Sequence, residues 1–285
     1  MAGKEKSNMT EYLSFSFNDN KEFISTFDEV PLWSASFGLL LLKQLELKPG
    51  LTIIDIGSGA GFPLMELAGR FGKSCKLYGV DPWTNANKRA KQKIKNYGLS
   101  NVEIIESSAE QMPFEDNSVD LVVSNLGINN FDKPQAVFKE CNRVLKPNGR
   151  LALTTNLDGH WKEFYRVFEA TLQQLGKTGL MAVLKQDEEH RGTIESVSKF
   201  FTGNNFKVNR HFEESFEMKF LDGSAFLNHY FVKLGWLTAW MKLFPKDELK
   251  EIFSSLEENL NLYSKKSGNL SLTVPMAFIE GEKVS

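Results

Sequence analysis

The stretch LTIIDIGSGAGFP, Leu51–Pro63, leads four apolar or β-branched residues into an acid and then places glycines at 57, 59 and 61. Its dense Ile and Leu content, bounded by Pro49-Gly50 and by the glycines, predicts a short buried strand over 51–56. Helical spacing resumes over 63–70. A dinucleotide fingerprint, GxGxxG, would need glycine where Phe62 stands. The pattern is GxGxG instead. Gly57 and Gly59 let the backbone approach a ligand closely, and Gly61 lets the chain turn into its helix. The first N–H groups of that helix favour an anion, a carboxylate as readily as a phosphate. Asp55 would repel a pyrophosphate but suits an ammonium group beside a carboxylate. The plain alternative is a tight strand-to-helix turn that binds nothing.

Working outward, strands are predicted at 76–80, 102–106, 119–124 and 150–155, with helices at 85–97, closed by Gly98, and 133–145, stopped by the turn Lys146-Pro147-Asn148-Gly149. Strands and helices alternating at this spacing mean βαβ units and a parallel sheet, whose ligands lie outside the carboxyl ends of the strands. Asp81 stands at such an end, 20 residues after Gly61, where an acid accepts hydrogen bonds from ribose hydroxyls. Asp55 and Asp81 together point to a ligand with an amino-acid end and a ribose.

Further on, helices are predicted at 161–175 and 194–202, a long strand at 206–220, a mostly helical stretch at 223–264 and a final strand at 270–279. Adjacent strands with helices inserted between them describe a cap. The expected divisions are an N-terminal lid segment over 1–48, a core over 49–222, a helical cap over 223–265, and the last core strand and tail over 266–285.

From Leu51 to Asn156 the chain resembles the class I S-adenosylmethionine-dependent methyltransferases, nearest the branch acting on quinones and other small molecules. DIGSGAG is similar to that family's first motif and GVDPW to its second-strand acid. SSAEQMPFEDNSVDLVVSNLGINNF resembles the segment from third to fourth strand, and LKPNGRLALTT the turn and fifth strand. The resemblance implies a Rossmann-like α/β sheet with helices on both faces, the helical cap near the C-terminus, and S-adenosylmethionine as cofactor. It implies that Gly57, Ser58 and Gly59 face the methionine part, with Asp55 behind them. Asp81 would bind the ribose, and Pro82 and Trp83 would lie along the adenine. Ala109 and Glu110 would line its other side, and Ser124, Asn125 and Leu126 would pass near the methionine chain. Relatives often carry an acid where this chain has Ser108, which would accept a hydrogen bond from the adenine amino group more weakly.

Substrate signals are thinner. SNLGINNF lacks the Pro-Pro-aromatic ending common among enzymes that methylate amino groups of bases or amides. Asn129 and Asn130 could touch substrate or cap their own loop. The segment DEVPLWSASFGLLLLKQLEL predicts an amphipathic helix entered at Pro31; Trp33, Ser34 and Phe37 are candidates for a lid, with Phe37 read as core and Trp33 kept as the lid residue. Over Ala225–Phe244, Leu227, Tyr230, Phe231, Leu234, Leu237 and Met241 would share one helical face, leaving His229, Trp236 and Trp240 off it, with Trp236 a candidate substrate or lid residue. Such an aromatic cap could form a dry pocket, pack as its own core, or lie on a membrane surface. Among His160, His190, His211 and His229, the last is the preferred general base, with Tyr230 beside it.

The bulk numbers set bounds. The net charge of −2 over 285 residues argues against a nucleic-acid partner, and the basic run Lys88, Arg89, Lys91, Lys93, Lys95 reads as a solvated helix face. Cys75 and Cys141 lie far apart, which fits a reducing cytosol and excludes a zinc pattern and the thiol set of an arsenite methyltransferase; no metal is expected. No apolar run could span a bilayer, Ala2 excludes myristoylation, and no secretory signal is read. A cytoplasmic monomer or homodimer acting on a small, apolar or aromatic molecule is the expectation. The alternatives are a methyltransferase of carrier-bound acyl groups or lipids, and a non-catalytic sensor of the cofactor or its product.

Overall fold

The computed structural model describes residues 10–15, 32–189 and 191–284. Pro31, His190 and most of the expected lid segment lie outside them. Among the described residues the elements are α1 (Leu32–Gln44), β1 (Thr52–Ile56), α2 (Leu64–Phe71), β2 (Lys76–Asp81), α3 (Thr84–Tyr97), β3 (Val102–Glu106), β4 (Val119–Asn125), α4 (Pro134–Val144) and β5 (Leu145–Asn156). There follow α5 (Lys162–Gln174), α6 (Met181–Glu189), α7 (Ile194–Thr202), β6 (Phe206–Phe220), α8 (Gly223–Asn228), α9 (Tyr230–Val232), α10 (Thr238–Lys242), α11 (Leu249–Ser267) and β7 (Leu270–Lys283).

The seven strands form one sheet in the order β3-β2-β1-β4-β5-β7-β6. β1 through β5 pair in parallel, while β7 runs antiparallel to β5, from Asn156↔Met276 to Arg150↔Glu282. The strand order reverses between β1 and β4, which makes their carboxyl ends the switch point. Local sequence explains the elements. In α2, Leu64, Leu67, Ala68 and Phe71 are buried at helical spacing. Gly98 closes α3 in the left-handed region at φ 65°, its N–H reaching back to Ile94 and Lys95. The 146–149 turn falls inside β5 as a register shift, with Leu145 paired to Val119 before the ladder resumes at Arg150 and Leu121.

The chain divides into two compact units. The first holds α1, β1 through β5, α7 and the adjoining parts of β6 and β7. Its core includes Ile54, Ile56, Val80, Val122, Phe138, Leu153, Phe201 and Ile279. The second holds residues 158–189, 191 and 215–275, with the turn Glu11–Ser14. It is larger than the expected cap over 223–265 because α5 belongs to it. Phe164 of α5 stacks on Trp240 at 4.4 Å between ring centroids, and Phe168 meets Phe253 edge-on at 5.8 Å.

The predicted continuous helix over 225–244 is broken. His229 is extended at ψ 129°, and Lys233–Leu237 is π-helical. Each interruption rotates the face that follows. Tyr230, expected on the buried stripe, is exposed, and Trp240, expected off it, is fully buried. Among the described residues no helix is long and apolar enough to cross a membrane.

Candidate functional site

The glycine turn is folded back onto β2. The Gly57 N–H donates to the Val80 carbonyl at 2.9 Å, and Gly61 donates to Ser58 at 2.8 Å. Gly57, Gly59 and Gly61 have φ of 72°, 49° and 100°, values that disfavour any side chain. A Cβ on Gly57 would come within 3.2 Å of Gly127 Cα, so the turns after β1 and β4 pack backbone to backbone. Beside Gly59 a Cβ would meet nothing within 4 Å, so this backbone borders open space.

Asp81 ties the turn to the next strand. Its Oδ2 accepts from the Gly59 N–H at 2.9 Å and its Oδ1 from the Trp83 N–H at 2.8 Å. Each oxygen keeps a further lone pair. Asn87 donates to the Asp81 carbonyl at 2.8 Å. Asp55 is fully buried and neither carboxylate oxygen has a hydrogen-bond partner of good geometry. Burial, and then the charge of Asp81, hold its carboxyl well above the ordinary carboxylate range, with the Leu64 N–H opposing them. Burial also raises the Asp81 carboxyl, against the pull of the Trp83 and Gly59 N–H groups. The Ser58 hydroxyl is likewise buried without a partner. Such polar groups suit a ligand that brings a cation and donors.

At the end of β4, Ser124 Oγ donates to the Ile56 carbonyl at 3.0 Å. Asn125 Nδ2 donates to the Ser34 carbonyl of α1 at 3.1 Å, and its Oδ1 accepts from Thr154 Oγ1 at 2.8 Å. Leu126 then adopts φ 66°, a left-handed conformation unusual for a leucine. A network holds Asn129, whose amide donates to Asn156 at 2.9 Å and accepts from Thr155 at 2.6 Å. Of the two readings for this residue, loop capping is the one with geometry behind it; Asn130 is exposed. Ser108 is exposed and its hydroxyl accepts the Glu110 N–H at 3.2 Å, while Ala109 is buried and Glu110 half-buried. Pro82 is exposed and Trp83 half-buried. Trp33 is buried against Phe37 at 5.1 Å, and Phe37 is fully buried as expected.

A profile described as "Methyltransferase domain" matches residues 54–153, spanning β1 to β5. The demethylmenaquinone methyltransferase of Geobacillus stearothermophilus is 34% identical over 164 residues, covering 56% of this chain and 68% of that protein. The chain belongs to the class I S-adenosylmethionine-dependent methyltransferases. The demethylmenaquinone methyltransferase of Bacillus mycoides is similar to the same degree, 34% over 163 residues, covering 56% of this chain and 67% of its own. Among solved structures, the YcgJ protein of Bacillus subtilis superimposes with a TM-score of 0.55 at 19% identity, over 88% of this chain and 99% of its own. Phosphoethanolamine N-methyltransferase 2 of Haemonchus contortus, solved with S-adenosyl-L-methionine, gives 0.54 at 19% identity, over 93% and 58%. At those identities the likeness is one of fold.

This methyltransferase therefore takes S-adenosylmethionine as its cofactor, and the fold brings Asp55, the glycine turn, Asp81 and the β4 end to one edge of the first unit. His229, Tyr230 and Trp236 belong to the second unit. His229 packs edge-on to Phe220 at 5.3 Å, and partial burial lowers its pKa. Tyr230 meets Phe15 edge-on at 6.1 Å, and Trp236 lies against Trp161 at 4.6 Å. Two residues that the sequence reading assigned elsewhere, Lys93 to a solvated helix face and Ser34 to the lid, join the first unit's site. Lys93 donates to the Ala60 carbonyl inside the glycine turn at 2.8 Å, and Ser34 receives Asn125. Neither carries a motif. Lys93 is one lysine in a basic run, and Ser34 acts through its backbone.

Proposed function

We propose that this methyltransferase transfers a methyl group to a small, planar, apolar ring of the quinone class. The observation that carries the reading is the 34% identity, over 164 residues, to demethylmenaquinone methyltransferase. The proline-free turn after β4 supports it, since the Asn125 and Asn129 amides are held by Ser34, Thr154, Thr155 and Asn156 rather than offered to a substrate amine.

When bound, S-adenosylmethionine supplies a methyl group on a sulfonium sulfur, open to in-line displacement by a nucleophile. The chain's part is to bind and align. Asp81 is assigned the ribose hydroxyls through its free lone pairs, Pro82 and Trp83 one face of the adenine, and Ser108, Ala109 and Glu110 its edge. The backbone of Gly57–Gly59 is assigned the methionine carboxylate, and the buried Asp55 side chain is assigned its ammonium group, whose charge would favour the ionised carboxyl against the burial that holds its proton. Ser124, Asn125 and Leu126 shape the wall along the methionine chain. Asn130 is the candidate substrate contact. A ring carbon or hydroxyl that gains the methyl group must lose a proton, and His229, kept neutral by its lowered pKa, is the candidate acceptor.

The test is transfer of labelled methyl from S-adenosylmethionine to 1,4-naphthohydroquinone, to phosphoethanolamine and to an acyl-carrier thioester in parallel. Label in the naphthohydroquinone alone supports the proposal. Label only in either of the others replaces it with amine or carrier methylation.

A further inference from the structure

Between β3 and β4, residues 107–118 contain no helix or strand. A connection of that kind has no regular ladder of its own and needs support from neighbouring elements to keep one shape. Its first half is a small turn. The Gln111 N–H donates to the Ser108 carbonyl at 3.2 Å, the Glu110 N–H to Ser108 Oγ at 3.2 Å, and Ser107 Oγ to the Gln111 carbonyl at 2.8 Å. These bonds shape the turn from within. The Ser107 N–H joins its start to the Asp81 carbonyl at 3.3 Å.

The second half is gripped from α4. Arg143 Nε donates to Glu140 Oε2 at 2.8 Å and Nη2 to Glu140 Oε1 at 2.7 Å, a two-bond fork. Nη2 also donates to the Met112 carbonyl at 3.0 Å, and Nη1 to the Phe114 carbonyl at 2.8 Å and to Asp116 Oδ1 at 2.7 Å. A guanidinium has five N–H donors. Here every one is engaged, by Glu140 on one side and by the connection on the other.

Glu140 completes the grip. It is buried, and its Oε1 accepts the Met112 N–H at 2.7 Å. The N–H and the carbonyl of Met112 are thus both held by the pair, and the Met112 side chain lies in the core. Met112 follows Glu110 by two residues, so any shift of the turn pulls against these bonds. The Arg143 hydrogen bonds hold the Glu140 carboxyl below its ordinary range, which keeps the pair ionised at neutral pH.

We propose that Arg143, aligned by Glu140, is a positioning residue for base recognition: it fixes residues 108–110 against the edge of the adenine ring and so lets the site tell adenine from other purines. The proposal rests on the assignment of Ser108, Ala109 and Glu110 to that edge. Changing the 6-amino group of the base to an oxo group exchanges donors and acceptors along the edge. Polar groups fixed in place distinguish the two patterns, whereas a turn free to readjust does not. Arginine suits the role because its planar fork meets several acceptors at once, and a lysine ammonium is a single point charge.

The test is calorimetric titration of the full-length protein with S-adenosylhomocysteine and with S-inosylhomocysteine, whose base carries the oxo group. The expected wild-type preference for the adenine form is about tenfold or more. Arg143→Lys keeps the charge but not the fork, and should cut that preference to about threefold or less, chiefly by weakening the adenine form. Glu140→Gln keeps an oxygen for the Met112 N–H but removes the charge that aligns the guanidinium. It should lower the preference in the same direction, which keeps the test decisive if Arg143→Lys fails to fold. A purely structural role would weaken both ligands alike or lower only the melting temperature. A wild-type preference retained in either folded variant therefore overturns the proposal and leaves the adenine assignment standing. Equal affinity of the wild-type protein for the two ligands removes the assignment of residues 108–110 to the adenine edge, and the proposal with it.

Discussion

Asp81 accepts the Gly59 N–H at 2.9 Å, so the acid ending the second strand holds the glycine turn that follows the first. One side chain thus holds the shape of the turn, and its remaining lone pairs are the ones proposed for the ribose. Asp81→Ala removes charge-assisted hydrogen bonds worth about 1.5–3 kcal/mol each. The expected outcome is affinity for S-adenosylhomocysteine about 10- to 100-fold weaker by calorimetry. An unchanged dissociation constant in the folded variant removes Asp81 from the cofactor site.

Asp55 supplies a pH dependence. Its carboxyl holds its proton more tightly in the folded chain than in the unfolded one, where its ordinary value is 3.8. Its contribution is therefore fully present below that value and is lost as pH rises through the raised folded one. Thermal melts of the cofactor-free protein should show stability falling from acid toward neutral pH. Asp55→Asn should flatten that slope and weaken cofactor binding at neutral pH, where the carboxylate would meet the ammonium group. A slope identical in the variant would place the pH dependence elsewhere.

Gly127 is where the turn after β4 passes the end of β1. A Cβ there would come within 3.0 Å of the Ile56 carbonyl and closer still to Ser124 Oγ, and the backbone cannot give way as a flexible side chain can. Gly127→Ala should destabilise the protein by about 1–3 kcal/mol in urea unfolding. It should also weaken S-adenosylhomocysteine, because Gly57 lies against Gly127. A variant of wild-type stability would mean that the two turns are looser than this packing implies.

His229 separates chemistry from binding. His229→Ala should lower turnover with the accepted substrate by about 10²-fold or more, the usual contribution of a general base, and leave S-adenosylhomocysteine affinity nearly unchanged. Full turnover would eliminate His229 as the proton acceptor and imply a nucleophile that needs no base.

Much of the first unit was legible because its signals are local. The run of Ile before Asp55, the glycine spacing and the Gly98 helix stop each act within a few residues, and β3, α7 and β6 fall where periodicity places them. Two acids at successive strand ends pointed to a ligand with an amino-acid end and a ribose, and the resemblance carried by the motifs around them named the cofactor. The second unit was less legible. A stripe counted at constant helical period over 225–244 could not anticipate the extended His229 or the π-helical turn, and each shifts the face that follows it.

By itself, then, the sequence determined a parallel α/β sheet and the strand ends at which Asp55 and Asp81 stand, because each depends on short-range backbone preferences and on strand polarity. Tertiary structure alone decided which side chains remain available. It engaged Asn129 with Thr155 and Asn156, drew α5 into the helical unit through Phe164 and Trp240, and set the Asp187 carboxylate against the Tyr165 hydroxyl. Those outcomes depend on residues far apart in the chain competing for the same hydrogen bonds and the same buried space, and no local pattern records who wins.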